Sequence, residues 1–204
     1  LIFTSGATES NNLALFGLAR NFYQKTGSFG HIVTLKTEHK AVLEPLRELE
    51  KEGFKVSEVM PEKDGLISLE KLLKAIQSDT FLVSIMLGNN EIGVLQPLKK
   101  IYNICKLRNI TLHTDAAQTL GYLPTKDFEE IAHMITLSSH KIYGPKGVGL
   151  LIIDKDIKLN PLLFGGGQEF GMRSGTIPLP LIVGFTKAIE LAIQNQEKNY
   201  KKLI

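Results

Sequence analysis

The 204-residue chain has no tryptophan and one cysteine, Cys105. A lone cysteine cannot close an internal disulfide, which excludes a disulfide-stapled scaffold and points to a reducing compartment, the cytoplasm. Aromatic residues make up only 7%, and 24 basic residues against 21 acidic ones leave a net charge of +3 with no basic block. This gives no electrostatic footprint for nucleic acid or an anionic membrane surface. No apolar run is long enough to span a bilayer, and no charged-then-apolar leader opens the sequence. Neither GxGxxG nor GxxxxGK[ST] occurs, which argues against a dinucleotide fold or a P-loop nucleotidase, and no metal site is expected. With 43% hydrophobic and 22% charged residues the composition is that of a globular domain able to bury a full core, so small-molecule chemistry becomes the default. The sequence opens on Leu1 and closes inside a helical pattern, FTKAIELAIQNQEKNYKKLI, so it reads as a piece of something longer.

Short β-branched runs alternate with helical patterns almost throughout. Strands are expected at Leu1–Thr4, His31–Leu35, Lys55–Met60, Phe81–Met86, Thr111–Asp115, Met134–Ser138 and Val148–Ile153, each apolar enough to be buried on both faces. Helices are expected at Thr8–Gln24, Lys40–Glu52, Leu69–Ile76 and Leu98–Arg108. Strand, crossover helix and strand repeated in this way give an α/β fold, a mostly parallel sheet flanked by helices. The shorter Gly- and Pro-containing connections before the last strands permit one antiparallel strand.

Open α/β sheets bind ligands at the carboxyl ends of their strands. Reading those ends in order gives Ser5-Gly-Ala-Thr8, Thr37-Glu-His-Lys40, Gly88-Asn-Asn-Glu91, Asp115-Ala-Ala-Gln118 and Ser138-Ser-His-Lys141. The first follows a strand and opens a helix, so its backbone N–H groups could face a phosphate; taken alone it reads sooner as an ordinary turn with Thr8 as N-cap, since many such turns bind nothing. His39, two residues after Thr37 as a cap, would sit where the helix dipole disfavours the imidazolium, free to lie against a planar cofactor and exchange protons. The plainer alternative is a surface histidine in a capping turn, and His31 and His133 are given structural roles outright.

Asp115 ends a strand with its carboxylate at the ligand edge. It suits a pyridinium nitrogen, although capping the next helix is an equal alternative. Gln118 is placed to donate to a ring oxygen. Lys141 is expected to end a strand and point inward, where a partly desolvated amine could form a Schiff base with a pyridoxal aldehyde; a solvated strand-end lysine is the alternative. Order raises the odds, because four weak signals fall on one rim. Gly165-Gly-Gly and Arg173-Ser-Gly-Thr176 form a Gly-rich segment in which Glu169 and Arg173, at i and i+4, read as a surface pair or as part of a phosphate site.

The stretches FTSGATESNNLAL, TEHKAVL, NNEIGVLQP, HTDAAQTLG, SSHKIYGPKGVG and GGGQEFGMRSGTIP, in this order, resemble the cysteine desulfurases that feed iron–sulfur cluster assembly. The resemblance runs over residues 1–204 and implies the large, cofactor-binding domain of a fold-type I pyridoxal 5'-phosphate enzyme, without an N-terminal segment and a small C-terminal domain. It implies that Ala7 and Thr8 bind the cofactor phosphate with Ser138 and His140, and that His39 stacks on the ring and moves a proton. Asn90 would reach the phenolic oxygen or the substrate, Asp115 the ring nitrogen and Gln118 the phenolic oxygen. Lys141 would form the Schiff base, and Thr176 would reach the phosphate held by a second subunit, so a homodimer is implied. L-Cysteine would be the substrate, alanine a product, and the sulfur would pass as an enzyme persulfide to scaffold or sulfur-carrier proteins.

In that family the reactive cysteine and the arginine for the substrate carboxylate lie after the position of Ile204. Cys105 shares a helical face with Ile101 and Ile104 and reads as core, not as the persulfide carrier. Two positions depart from the family. Phe170 stands where arginine is common, and Ser139 replaces a glycine or alanine. Rival readings keep the fold but change the chemistry to selenocysteine lyase or aminotransferase, or make the chain an inactive fragment or split-gene product.

Overall fold

The structure, a computed structural model, describes residues 1–123 and 128–201. Among them seven strands form one sheet: β1 (Ile2–Thr4), β2 (His31–Leu35), β3 (Lys55–Val59), β4 (Thr80–Ser84), β5 (Thr111–Asp115), β6 (Met134–Ser138) and β7 (Gly149–Ile153). The helices are α1 (Ala7–Thr26), α2 (Lys40–Glu52), α3 (Leu69–Ala75), α4 (Leu98–Leu107), α5 (Leu179–Gln194) and α6 (Gln196–Tyr200). The strand order is β1-β7-β6-β5-β4-β2-β3. The β3-β2-β4-β5-β6 pairings are parallel, whereas β7 runs antiparallel to both β6 and β1. The α/β expectation and its one antiparallel strand therefore hold. The C-terminal helical pattern forms α5 and α6, and its last three residues lie outside the described set.

The core lies in two layers. On one face α1 and α2 bury Leu13, Leu15, Val42, Leu46 and Leu49 against Ile32, Leu82 and Met134 of the sheet. On the other, Leu72 of α3, Leu98, Ile101 and Cys105 of α4 and Phe185 of α5 cover Val33, Val83 and Leu112. Each such side chain contributes about 1.5–3 kcal/mol by leaving water. Cys105 is fully buried, and burial pushes its thiol up to about 12, so it is inert packing. α1 stops where Gly27 takes φ 69 and its N–H closes on the Tyr23 carbonyl, a left-handed cap that a residue with Cβ would strain.

Strand β3 is not buried on both faces. It pairs only with β2, and its Lys55 and Glu58 are exposed, the charged edge that discourages pairing with a further strand. Strand β4 runs from Thr80 to Ser84; beyond it Ile85 and Leu87 still donate to β5, while the Met86 N–H turns to the Glu38 carboxyl and the Leu87 carbonyl takes the Gln96 N–H.

Side chains of one strand alternate between faces, so His113 and Asp115 of β5 both look toward α1. His113 is fully buried with Ser84 Oγ 2.9 Å from Nδ1 and Thr136 Oγ1 3.1 Å from Nε2, a polar rung across β4, β5 and β6. Burial depresses its pKa to about 3, so the ring is neutral.

Ser139 is less well provided for. Its hydroxyl is buried with no hydrogen-bond partner, and an unpaired buried hydroxyl costs about 1–3 kcal/mol. Ser139→Ala should therefore raise the urea midpoint by the equivalent of about 1 kcal/mol; a lowered midpoint would show that the hydroxyl is satisfied.

Candidate cofactor site

The ends of β1, β2, β4, β5 and β6 open on a cleft of about 470 Å³, within the ~300–1,000 Å³ usual for small-molecule sites. Nine of the ten residues singled out from the sequence line it: Ala7, Thr8, His39, Asn90, Asp115, Gln118, Ser138, His140 and Lys141. Thr176 does not; it is exposed in the Gly-rich segment outside this cleft.

The turn from β1 to α1 is held by Thr4, whose Oγ1 lies 2.7 Å from Ser10 Oγ and 3.1 Å from the Gly6 carbonyl. Gly6 is the N-cap and α1 begins at Ala7, so Thr8 is a helical residue and not the cap. The Ala7 and Thr8 N–H groups belong to the first turn, where no intrahelical acceptor exists, and both residues line the cleft. They stand as a candidate anion cradle at the positive end of a 20-residue helix, where the dipole favours negative charge. Glu9, in the same turn, would oppose an anion, but Arg173 covers it: Nε donates to Oε1 at 2.8 Å. Burial alone would raise the Glu9 pKa, yet the bonds from Arg173 and from the Ser5 N–H outweigh it and hold the carboxyl below its usual value. Arg173 does not pair with Glu169 as expected from spacing. The segment has only a short 3-10 turn, Glu169–Gly171, with Glu169 and Phe170 at positive φ, and Glu169 instead accepts from the Phe3 N–H at 2.8 Å.

The cradle depends on a close approach by β7. A Cβ on Gly149 would stand 2.6 Å from the Gly6 Cα and carbonyl carbon, both backbone atoms that cannot swing away. Gly149→Ala should cost about 1–3 kcal/mol by overpacking and weaken phosphate binding several-fold. Equal urea midpoints and equal phosphate affinity in the two proteins would show that the strands part freely.

His39 caps α2 itself, in place of Thr37: its Nδ1 accepts from the Ala41 N–H at 3.0 Å, which leaves the ring proton on Nε2. Beside it Glu38 is buried; burial raises its pKa well above the usual value, opposed by the bond from the Met86 N–H to Oε1 and reinforced by Asp115. Asn90 sits on a loop organised by Asn89, whose Oδ1 accepts from Glu91 and Ile92 and whose Nδ2 donates to the Thr37 carbonyl.

Asp115 is buried and, among the described residues, bonded to neutral donors alone: Asn11 Nδ2 to Oδ2 at 2.7 Å and the Ala117 N–H to Oδ1 at 2.9 Å. It closes a turn, and the described residues next after it, up to 123, form turns rather than a helix, so the helix-capping alternative falls. Gln118 follows in that turn, half-buried. Lys141 does not end β6. It lies in the short 3-10 helix Ser139–Ile142, exposed at the cleft, with no hydrogen bond or ion pair to its ammonium among the described residues. Ser138 Oγ is 2.9 Å from His140 Nδ1. Partial burial and then the charges of Lys141 and Lys146 lower the His140 pKa.

A cation that could answer Asp115 and an anion that could fill the cradle are what this lining asks for. A phosphorylated pyridinium aldehyde, facing an amine with no partner, has that charge pattern, so the residues fit pyridoxal phosphate.

A family model described as aminotransferase class-V matches residues 1–203. The chain belongs to the aminotransferase class-V family. Among relatives in that family, a cysteine desulfurase from Eremothecium gossypii, described as mitochondrial, is 51% identical over 199 residues, 97% of this chain and 40% of that one. The cysteine desulfurase IscS of Histophilus somni is 48% identical over 205 residues, covering 100% of this chain and 50% of the relative. A solved structure described as SspA in complex with cysteine superposes with a TM-score of 0.87 at 44% identity, covering 93% of this chain and 54% of that one. The chain thus spans about half the length of the class-V relatives it matches.

Sequence reasoning did not pick out Asn11, Glu38, Asn89, Glu9 or Met86. Asn11 had a signal, since it lies one helical turn from Ala7 on the same face of α1. Nothing in the sequence marks Glu38 as buried.

Proposed function

We propose that residues 1–204 are the cofactor-binding part of a cysteine desulfurase, which takes sulfur from L-cysteine with pyridoxal phosphate and leaves L-alanine. The observation that carries this reading is the cleft itself, with a partnerless lysine, a buried carboxylate held by neutral donors and an anion cradle on one rim. The identity to proteins named cysteine desulfurase supports the substrate, as does the likeness to a structure with cysteine bound.

When bound, pyridoxal phosphate withdraws electrons from the bonds at the substrate α-carbon. The Ala7 and Thr8 N–H groups, Ser138 and His140 would hold its phosphate, Asp115 would pair with its ring nitrogen, and Gln118 and Asn90 would serve its phenolic oxygen. Lys141 Nζ would be its covalent anchor. His39 would lie against it and move a proton at Nε2, its Nδ1 being engaged by the Ala41 N–H. Thr176, outside its own cleft, serves the phosphate of a second copy, which makes the working unit a homodimer. The thiolate that receives sulfur is not Cys105, whose thiol is buried and pushed up to about 12. From that thiolate the sulfur goes to iron–sulfur scaffold or sulfur-carrier proteins, in the cytoplasm.

The test is spectroscopic. Pyridoxal phosphate added to the chain should give a visible band, and L-cysteine should shift it while L-leucine does not. No band, or equal responses to both amino acids, would overturn the cofactor or the substrate respectively.

A further inference from the structure

We propose that Asn11 is a positioning residue that holds the Asp115 carboxylate fixed and turned toward the cleft. This rests on the reading of Asp115 as the partner of the cofactor's ring nitrogen. Asn11 is fully buried on the face of α1 that packs on the sheet, and its Nδ2 donates to Asp115 Oδ2 at 2.7 Å. Its own Oδ1 is buried with no partner. An ionised carboxylate can only accept hydrogen bonds, so the NH₂ end of the amide must face it and the oxygen end is left unanswered. The fold tolerates an unpaired buried acceptor here and places a donor on a buried carboxylate in return.

The geometry also ties the two halves of the site together. Asn11 lies one turn into the helix whose first residues form the anion cradle, and its side chain reaches the carboxylate at the end of β5. With Ala117 on Oδ1, both oxygens are fixed, so the carboxylate cannot rotate without breaking a bond. The other titratable groups around it are Glu38, the imidazoles of His39, His113 and His140, and the ammonium groups of Lys141 and Lys146. Burial depresses the His113 pKa to about 3, so that ring is neutral, and the Glu38 carboxyl offers no cation. The side chain bonded to the Asp115 carboxylate is the Asn11 amide.

The test measures the Asp115 carboxyl-carbon resonance by ¹³C NMR at neutral pH in the cofactor-free chain, and separately the dissociation constant for pyridoxal phosphate. Asn11→Ala should move that resonance, through the loss of the hydrogen bond at Oδ2, and weaken pyridoxal phosphate binding about tenfold. Asn11→Leu, similar in volume and without polar atoms, repeats the measurement if the truncation does not fold. Asn11→Ser, which keeps a donor, should move the resonance less than either. An Asp115 resonance unmoved in a folded Ala or Leu variant overturns the proposal. A wild-type chain that binds no pyridoxal phosphate overturns the functional reading instead, and the NMR measurement still decides the role of Asn11.

Discussion

Lys141→Ala should abolish the visible absorbance band that pyridoxal phosphate acquires on binding, while the phosphate cradle still retains the cofactor more weakly. The reasoning is positional. Two lysines line the cleft, Lys141 and Lys146, and both are exposed. Lys141 sits in the same short 3-10 turn as Ser139 and His140, immediately after Ser138, so it is held close to the hydrogen-bonded Ser138–His140 pair expected to grip phosphate. Lys146 lies beyond the turn that contains Tyr143 at φ 64. Lys146→Ala should therefore keep the band. Absorbance spectra of the three proteins at equal cofactor concentration check this, and a band retained in Lys141→Ala but lost in Lys146→Ala would reassign the anchoring amine.

The second large effect is on acid stability, and it comes from His113. Burial lowers its pKa from 6.5 to about 3, so the folded state binds this proton more weakly than the unfolded state does. The stability linked to the neutral ring is fully present above the unfolded value and is lost as pH falls below it, down to the folded value. Each unit of difference is worth about 1.4 kcal/mol, so acidification from pH 7 to pH 5 should cost about 2 kcal/mol through this residue alone. His113→Gln can still bond Ser84 and Thr136 but carries no titrating group. Urea midpoints of both proteins at pH 7 and pH 5 should show the wild type losing about 2 kcal/mol more than the variant. Glu38 acts in the opposite sense: its raised pKa gives stability present at low pH and lost as pH rises. Both proteins share Glu38, so its contribution cancels. Parallel losses in the two would mean that the imidazole is already charged, or hydrated, in the fold.

The strand and helix pattern was readable because the strands are dense in Val, Ile and Leu and the crossover helices carry apolar stripes, which α2 shows with the bounds expected for it. What failed were statements about faces and ends. β3 carries alternating Lys, Val, Ser, Glu and Val, a pattern that an edge strand and a half-buried inner strand share, and only the sheet order decides between them. At the site, residues at strand ends were legible because the fold class dictates where such ends gather. Their supporting partners were not. Asn11 and Glu38 act through burial and through contacts across the sheet, 104 residues apart in the bond from Asn11 to Asp115. Arg173 shows the same limit in reverse, since the helical spacing to Glu169 was real in sequence but no helix forms there, and Glu9 from the far end of the chain takes the guanidinium.

Among the described residues β1 pairs with β7 and with no other strand, which bears on how the protein is made. Ile2 has Leu151 as its partner, so the turn leading into α1 has no sheet neighbour until the chain through β7 has been synthesised. The parallel part, β2 to β6, needs no such wait. Emerging from the ribosome, the chain can pair β2 to β6 first and dock β1 on β7 afterwards, because contacts of long sequence separation form late. The first turn of α1 is thus the last part of the site to be set in place, and a nascent chain stalled before Gly149 would have Asp115, His39 and the Ser138–His140 pair without the α1 N–H groups fixed beside them.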